Sequence, residues 1–158
     1  NITAALCAAD APGCALYHAN LDTYLKALEE LDKDIRAHIG KVPKNRRTAV
    51  TNHAAFRYFG KAYGVRFIAA RGLSAAAQTR PATLARLIKS MRSQSVTGMF
   101  LDNVTNPRVL QQLARDTGAR IGGTLYSDAL TGADGPAPTY IDMMRHNAAT
   151  LATTLRDK

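Results

Sequence analysis

No stretch of the chain approaches the roughly 18 consecutive apolar residues that a membrane-crossing helix needs, so no stable membrane insertion is expected. Three glycine signatures are also missing: the G-x-S-x-G nucleophile elbow, the G-x-x-x-x-G-K-[ST] phosphate loop and the G-x-G-x-x-G dinucleotide turn. Each would mark a strand-to-helix joint if hydrolase, phosphate or dinucleotide chemistry were carried there. The run Gly118-Ala-Arg-Ile-Gly122-Gly123 has a different glycine spacing and leads into a strand pattern, not a helix. Zinc-finger and ribonucleoprotein motifs are absent too, which matters because the formal net charge is +9. Such a surplus invites a nucleic-acid reading. The positive residues are scattered, however, through Lys41, Arg57, Lys61, Arg66, Arg71, Arg80, Arg86, Lys89 and Arg92, and cluster tightly only at Lys44-Asn-Arg46-Arg47. A dispersed, solvated basic surface fits this spacing better, and no nucleic-acid partner is expected.

Cysteine is scarce. Cys7 and Cys14 are the two present, with Asp10, Pro12 and Gly13 between them. A turn of that composition brings the end of one helix against the start of the next. The pair is therefore a disulfide in an oxidising compartment or two buried thiols in a reducing one. The chain opens at Asn1 without Met, inside the helix-like stretch NITAALCAA. A processed or truncated product is expected, and the lack of a signal peptide here says nothing against secretion.

What remains is globular in composition: 158 residues, 46% apolar and 21% charged, enough for a domain with a proper core. Leu16, Leu21, Tyr24, Leu25, Leu28, Leu31, Ile35 and Ile39 recur at steps of three to five, predicting a long helix from about Ala15 to His38. A polar linker, Lys41 to Arg47, separates this helical segment (1–40) from an α/β region (48–158). There the pattern predicts strands at 48–52, 66–70, 98–102 and 120–126, and helices at 54–64, 82–94, 106–117 and 139–156. Such alternation implies right-handed crossovers and a four-stranded, mostly parallel sheet with helices on both faces. Phe56, Phe59 or Gly60, and Tyr63 are expected to bury one side of the first of these helices.

Ligands of such sheets gather beyond the carboxyl ends of the strands. His53 follows the first strand, Asp102 ends the third, and Asp128 lies just past the fourth. All three can bind a metal ion, although acidic residues are also common at strand ends as turn formers and helix caps. Ser127 adjoins Asp128, but neighbours on an extended chain point to opposite sides, so no nucleophile and base pair is expected there. His18, His38 and His146 are expected to be surface or packing residues.

Several motifs occur together in order: Tyr17-x-x-Asn20 with Tyr24 and Leu28-x-x-Leu31; Asn52-His53-Ala-Ala-Phe56-x-Tyr58-Phe59; Ala62-Tyr63-Gly64-Val65; Phe100-x-Asp102; Tyr126-Ser-Asp128; and Tyr140-x-x-Met143-Met144-x-x-Asn147. In these the chain resembles the C-terminal half of the periplasmic metal-binding solute-binding proteins of ABC transporters, the ZnuA/TroA-like family, and most of all its zinc-specific members. The resemblance implies the C-terminal lobe of a two-lobed protein, with the long helix joining the lobes and the metal held between them. It implies a carrier and not an enzyme, periplasmic and monomeric, with an ABC permease as partner and a periplasmic metallochaperone as a second candidate partner.

By the same resemblance His53 matches the third metal ligand and Asp128 the fourth, while two further histidines would belong to an N-terminal lobe. Asp102 stands where the family usually has Glu, which makes it a partner of a ligand at most. Three imidazoles and one carboxylate suit tetrahedral Zn2+, and histidine at position 53 favours zinc over manganese. Two other functions fit the same residues: an adhesin-like or protein-binding member with structural zinc, and a zinc hydrolase with an open coordination position.

Overall fold

In the computed structural model, residues 1–70, 81–93, 96, 98–104 and 106–156 are described. The elements run α1 (Ile2–Ala9), α2 (Cys14–Gly40), a 3-10 turn (Lys44–Arg46), β1 (Thr48–Thr51), α3 (Arg57–Tyr63), β2 (Arg66–Ala69), α4 (Pro81–Ser93), β3 (Gly98–Asp102), α5 (Arg108–Thr117), β4 (Arg120–Leu125) and α6 (Tyr140–Arg156). Gln94, the last residue of the helix predicted over 82–94, lies outside the described residues, as do Arg71 and Arg80. Among the described residues no helix is long and apolar enough to cross a membrane.

The chain forms two compact units, Asn1–Asp34 and Ile35–Lys158. In the first, Cys7 and Cys14 are joined by a disulfide. The turn they flank has its own bonds: the Tyr17 hydroxyl donates to Asp10 Oδ2 at 2.6 Å and the Gly13 amide to Asp10 Oδ1 at 3.4 Å. The apolar stripe expected along α2 is unevenly covered. Leu16, Tyr24 and Leu25 are exposed, whereas Leu31, Ile35 and Ile39 are buried.

The second unit is built on a four-stranded sheet in the order β2-β1-β3-β4, with every neighbouring pair parallel. Strand residues alternate between two packed faces, as a parallel sheet covered on both sides requires. Val50, Met99, Leu101 and Ile121 face one way, into a core shared with Leu87 and Met91 of α4 and Leu110 and Leu113 of α5. On the other face, Phe67 of β2 stacks on Phe56 with ring centres 5.3 Å apart and meets Phe59 edge-on at 6.2 Å. The Arg36 guanidinium lies 5.3 Å from the Tyr63 ring centre, which ties the C-terminal part of α2 to α3.

Helix α6 covers the rest of this second face, and glycines let it approach closely. A Cβ on Gly122 would collide with the Thr154 side chain, and one on Gly98 would come within 2.7 Å of Leu155 Cδ2. The register shifts between Met99↔Ile121 and Leu101↔Thr124, so β4 accommodates one extra residue there. Gly123, at φ 140°, takes up that bulge in a conformation L side chains rarely adopt. After the shift Leu125 pairs with Asp102, completely buried.

Helix α3 starts at Arg57, later than the periodicity predicts. The Thr51 hydroxyl donates to the His53 carbonyl at 2.9 Å, a local side-chain bond of the kind that competes with helix formation. Residues 52–56 therefore form a loop, and the first helical bond runs from the Gly60 amide to the Phe56 carbonyl at 2.8 Å. Replacing Gly122 by Ala should destabilise the fold by about 1–3 kcal/mol, because a methyl group has no room against Thr154. Thermal unfolding checks this, with Gly132→Ala as the control, since a Cβ there meets nothing within 4 Å.

Candidate metal centre

The strand order reverses at β1 and β3: the chain leaves β1 towards β2, then returns across it to β3 and β4. A crevice opens at the carboxyl ends of strands flanking such a reversal. The register pairs Thr51 with Phe100, so continuing both strands by two residues sets His53 beside Asp102. There the His53 Nδ1 and Asp102 Oδ2 atoms are 2.8 Å apart, and both side chains are buried.

The opposite ring nitrogen faces Asp128. Its Oδ2 is 3.2 Å from His53 Nε2, and the Asp128 side chain is 63% exposed. Two asparagines hold the loop that carries it. Asn147, buried on α6, accepts from the Tyr126 amide at 2.9 Å and donates to the Tyr126 carbonyl at 2.7 Å, pairing with the chain as a neighbouring strand would. Asn103 accepts from the Ser127 amide at 3.3 Å and donates to the Ala129 carbonyl at 2.9 Å. Thr139 and Asp142 cap α6 through a 2.6 Å hydroxyl to carboxylate bond and a 3.2 Å amide to hydroxyl bond, which fixes the entry to the helix bearing Asn147.

The three residues expected to gather are thus brought together, but on opposite sides of one ring. Asp102 occupies Nδ1 and Asp128 faces Nε2, so a single ion at Nε2 cannot also touch Asp102. With its proton on Nδ1, facing the Asp102 carboxylate, the ring would offer the Nε2 lone pair to an ion bound on the Asp128 side. Bond lengths of 2.0–2.2 Å to nitrogen and oxygen give a tetrahedral N···O edge of about 3.4 Å. The observed 3.2 Å accommodates such an edge with almost no movement. An apolar basin of about 360 Å³ flanks Asp128, lined by Phe59, Tyr126, Tyr140, Met143 and Met144 among others.

One expectation fails here. Ser127 and Asp128 do not diverge; the Ser127 hydroxyl lies 3.3 Å from Asp128 Oδ2. Strand β4 ends at Leu125, and the bend at 127–128 abolishes the alternation that the argument required. Of the other histidines, His146 packs: its Nε2 is 3.1 Å from the Thr124 carbonyl and its ring meets Tyr126 at 5.2 Å. Asn147 and Asn103 were not foreseen as the residues that hold the loop. The signal for Asn147 was its position, four residues from both Met143 and Leu151 on the buried face of α6.

Comparison with known proteins bears on the family and the fold. The family model described as zinc-uptake complex component A, periplasmic, matches residues 1–154. The manganese-binding lipoprotein MntA of Halalkalibacterium halodurans is 32% identical over 146 residues, 92% of this chain and 49% of that protein. The iron-binding protein YfeA of Yersinia pestis is 30% identical over 152 residues, covering 96% and 49%. Among solved structures, the periplasmic zinc-binding protein TroA of Treponema pallidum superimposes with a TM-score of 0.92 at 25% identity, covering 99% of this chain and 58% of that one. The Mn-bound periplasmic metal-binding protein of Candidatus Liberibacter asiaticus gives 0.85 at 28%, covering 98% and 57%.

The fold is thus shared with these metal-binding proteins. The chain belongs to the family of the periplasmic zinc-uptake component A. It spans about half the length of the relatives it matches. Replacing Asn147 by Ala should lower stability by about 1–3 kcal/mol, since it strips the Tyr126 amide and carbonyl of their partner. Urea unfolding measures this, and hydrogen exchange should show faster exchange at the Tyr126 amide.

Proposed function

We propose that this chain supplies one half of a metal site in a two-lobed substrate-binding protein, which captures zinc in the periplasm and hands it to an ABC permease. The observation that carries the reading is the convergence of His53 Nε2 and Asp128 Oδ2 at 3.2 Å, with the far ring nitrogen anchored on buried Asp102. A carrier needs the ion enclosed by protein ligands, with no coordination position left open for a reacting water. Two ligands here leave room for two more from another lobe, and α2 is the segment that would join the lobes.

Imidazole at position 53 supports zinc, being a softer donor than a second carboxylate. The names of relatives favour a second reading, because two of them are called manganese-binding and iron-binding. In the proposed roles His53 and Asp128 bind the ion and Asp102 orients His53. Anchoring the ring at Nδ1 removes its rotational freedom before the ion arrives and raises the basicity of Nε2.

Competition titration of the whole protein against a chromogenic chelator tests this. Removing a residue that only orients a ligand costs about 10–100-fold in affinity, which is the expected effect of Asp102→Ala. Asp128→Ala and His53→Ala should each weaken zinc binding further, because each deletes a bond to the ion. An Asp102 variant weaker than the Asp128 variant would overturn the assignment of roles. Tighter binding of manganese than zinc by the unaltered protein would replace zinc by the second reading.

A further inference from the structure

Cys7, Cys14 and His18 form a second group of metal-binding side chains, with ligand atoms all within 4.8 Å of one another. Cys14 and His18 are four residues apart on α2 and share one of its faces. Cys7 is presented by α1 from across the turn. In the structure both sulfurs are consumed by the disulfide and offer no thiolate. We propose that reduction of this disulfide converts the three residues into a soft divalent-metal site, distinct from the one at His53.

The chemistry balances as follows. A dithiol donor transfers two electrons and two protons to the Cys7–Cys14 bond, leaving two thiols and the donor's own disulfide. The ion then displaces the two thiol protons to bind two thiolates, and a ring nitrogen of His18 adds its lone pair. This cysteine-cysteine-histidine set suits tetrahedral zinc with water in the fourth position. With metal–sulfur bonds near 2.3 Å the sulfurs would stand roughly 3.8 Å apart. With the two Cα atoms 4.7 Å apart, side-chain rotation can reach that separation.

The turn itself keeps the helices apposed when the disulfide opens. Tyr17 donates to Asp10 at 2.6 Å, Gly13 donates to the same carboxyl group at 3.4 Å, and the Cys14 amide bonds the Ala11 carbonyl at 3.2 Å. None of these bonds involves sulfur. The cysteines are half-buried and His18 is exposed, so a reductant and then an ion can both reach them.

The test uses the intact protein carrying His53→Ala, which weakens the other site, reduced with a phosphine that is then removed under nitrogen. Cobalt(II) is the probe, because thiolate-to-cobalt charge transfer reports sulfur ligation directly. The proposal predicts a charge-transfer band that saturates at one ion per chain. The band should be absent in the oxidised protein and in Cys7→Ser and Cys14→Ser, and His18→Ala should weaken cobalt binding by more than about tenfold. Zinc should also slow alkylation of the reduced thiols, a readout that does not depend on the cobalt spectrum. No band in the reduced protein, or unchanged cobalt affinity without His18, overturns it. Loss of helical circular dichroism on reduction that cobalt does not restore overturns it equally, since the turn bonds would then fail to hold the site.

Discussion

The hydrogen bond between Asp102 and His53 is the contact on which the rest of the site depends. It joins residues 49 apart in sequence, and both side chains are buried. Burying an imidazole and a carboxyl group is unfavourable unless each satisfies the other. The sheet therefore has to deliver them in register, and strand order does this by placing β1 beside β3. The crevice at that reversal, the bulge at Gly123 that seats Leu125 beside Asp102, and the loop leading to Asp128 all follow from how the parallel strands are laid.

Much of the fold was legible because its signals are local. The four strands end within a residue of the ends predicted at 52, 70, 102 and 126, and the parallel order follows from alternation with helices of crossover length. The start of α3 was not legible. Helical spacing extends back to Ala54, but the Thr51 hydroxyl bonds the His53 carbonyl and the helix begins only at Arg57. Periodicity carries no information about such a bond.

The site divides in the same way. His53, Asp102 and Asp128 could be placed at one sheet edge from strand ends alone. Which ring nitrogen each carboxylate faces depends on long-range register and on the bend after Leu125, and neither has a sequence signature. That bend also undid the expectation that Ser127 points away from Asp128. The asparagines are an intermediate case: a buried amide on an apolar helix face must bond to something, but only the structure identifies the Tyr126 backbone as its partner.

In the proposed division of labour around the ring, the buried carboxylate of Asp102 positions His53 and the exposed one of Asp128 binds the ion. A carboxylate 63% exposed has room to swing onto an arriving ion, whereas a fully enclosed one is held in place against His53. Anomalous diffraction at the zinc edge from crystals of the whole, metal-loaded protein tests this most directly. The account predicts one peak about 2.0–2.2 Å from both His53 Nε2 and an Asp128 oxygen, with Asp102 still on Nδ1. A peak bonded to Asp102, or one remote from His53, would contradict it.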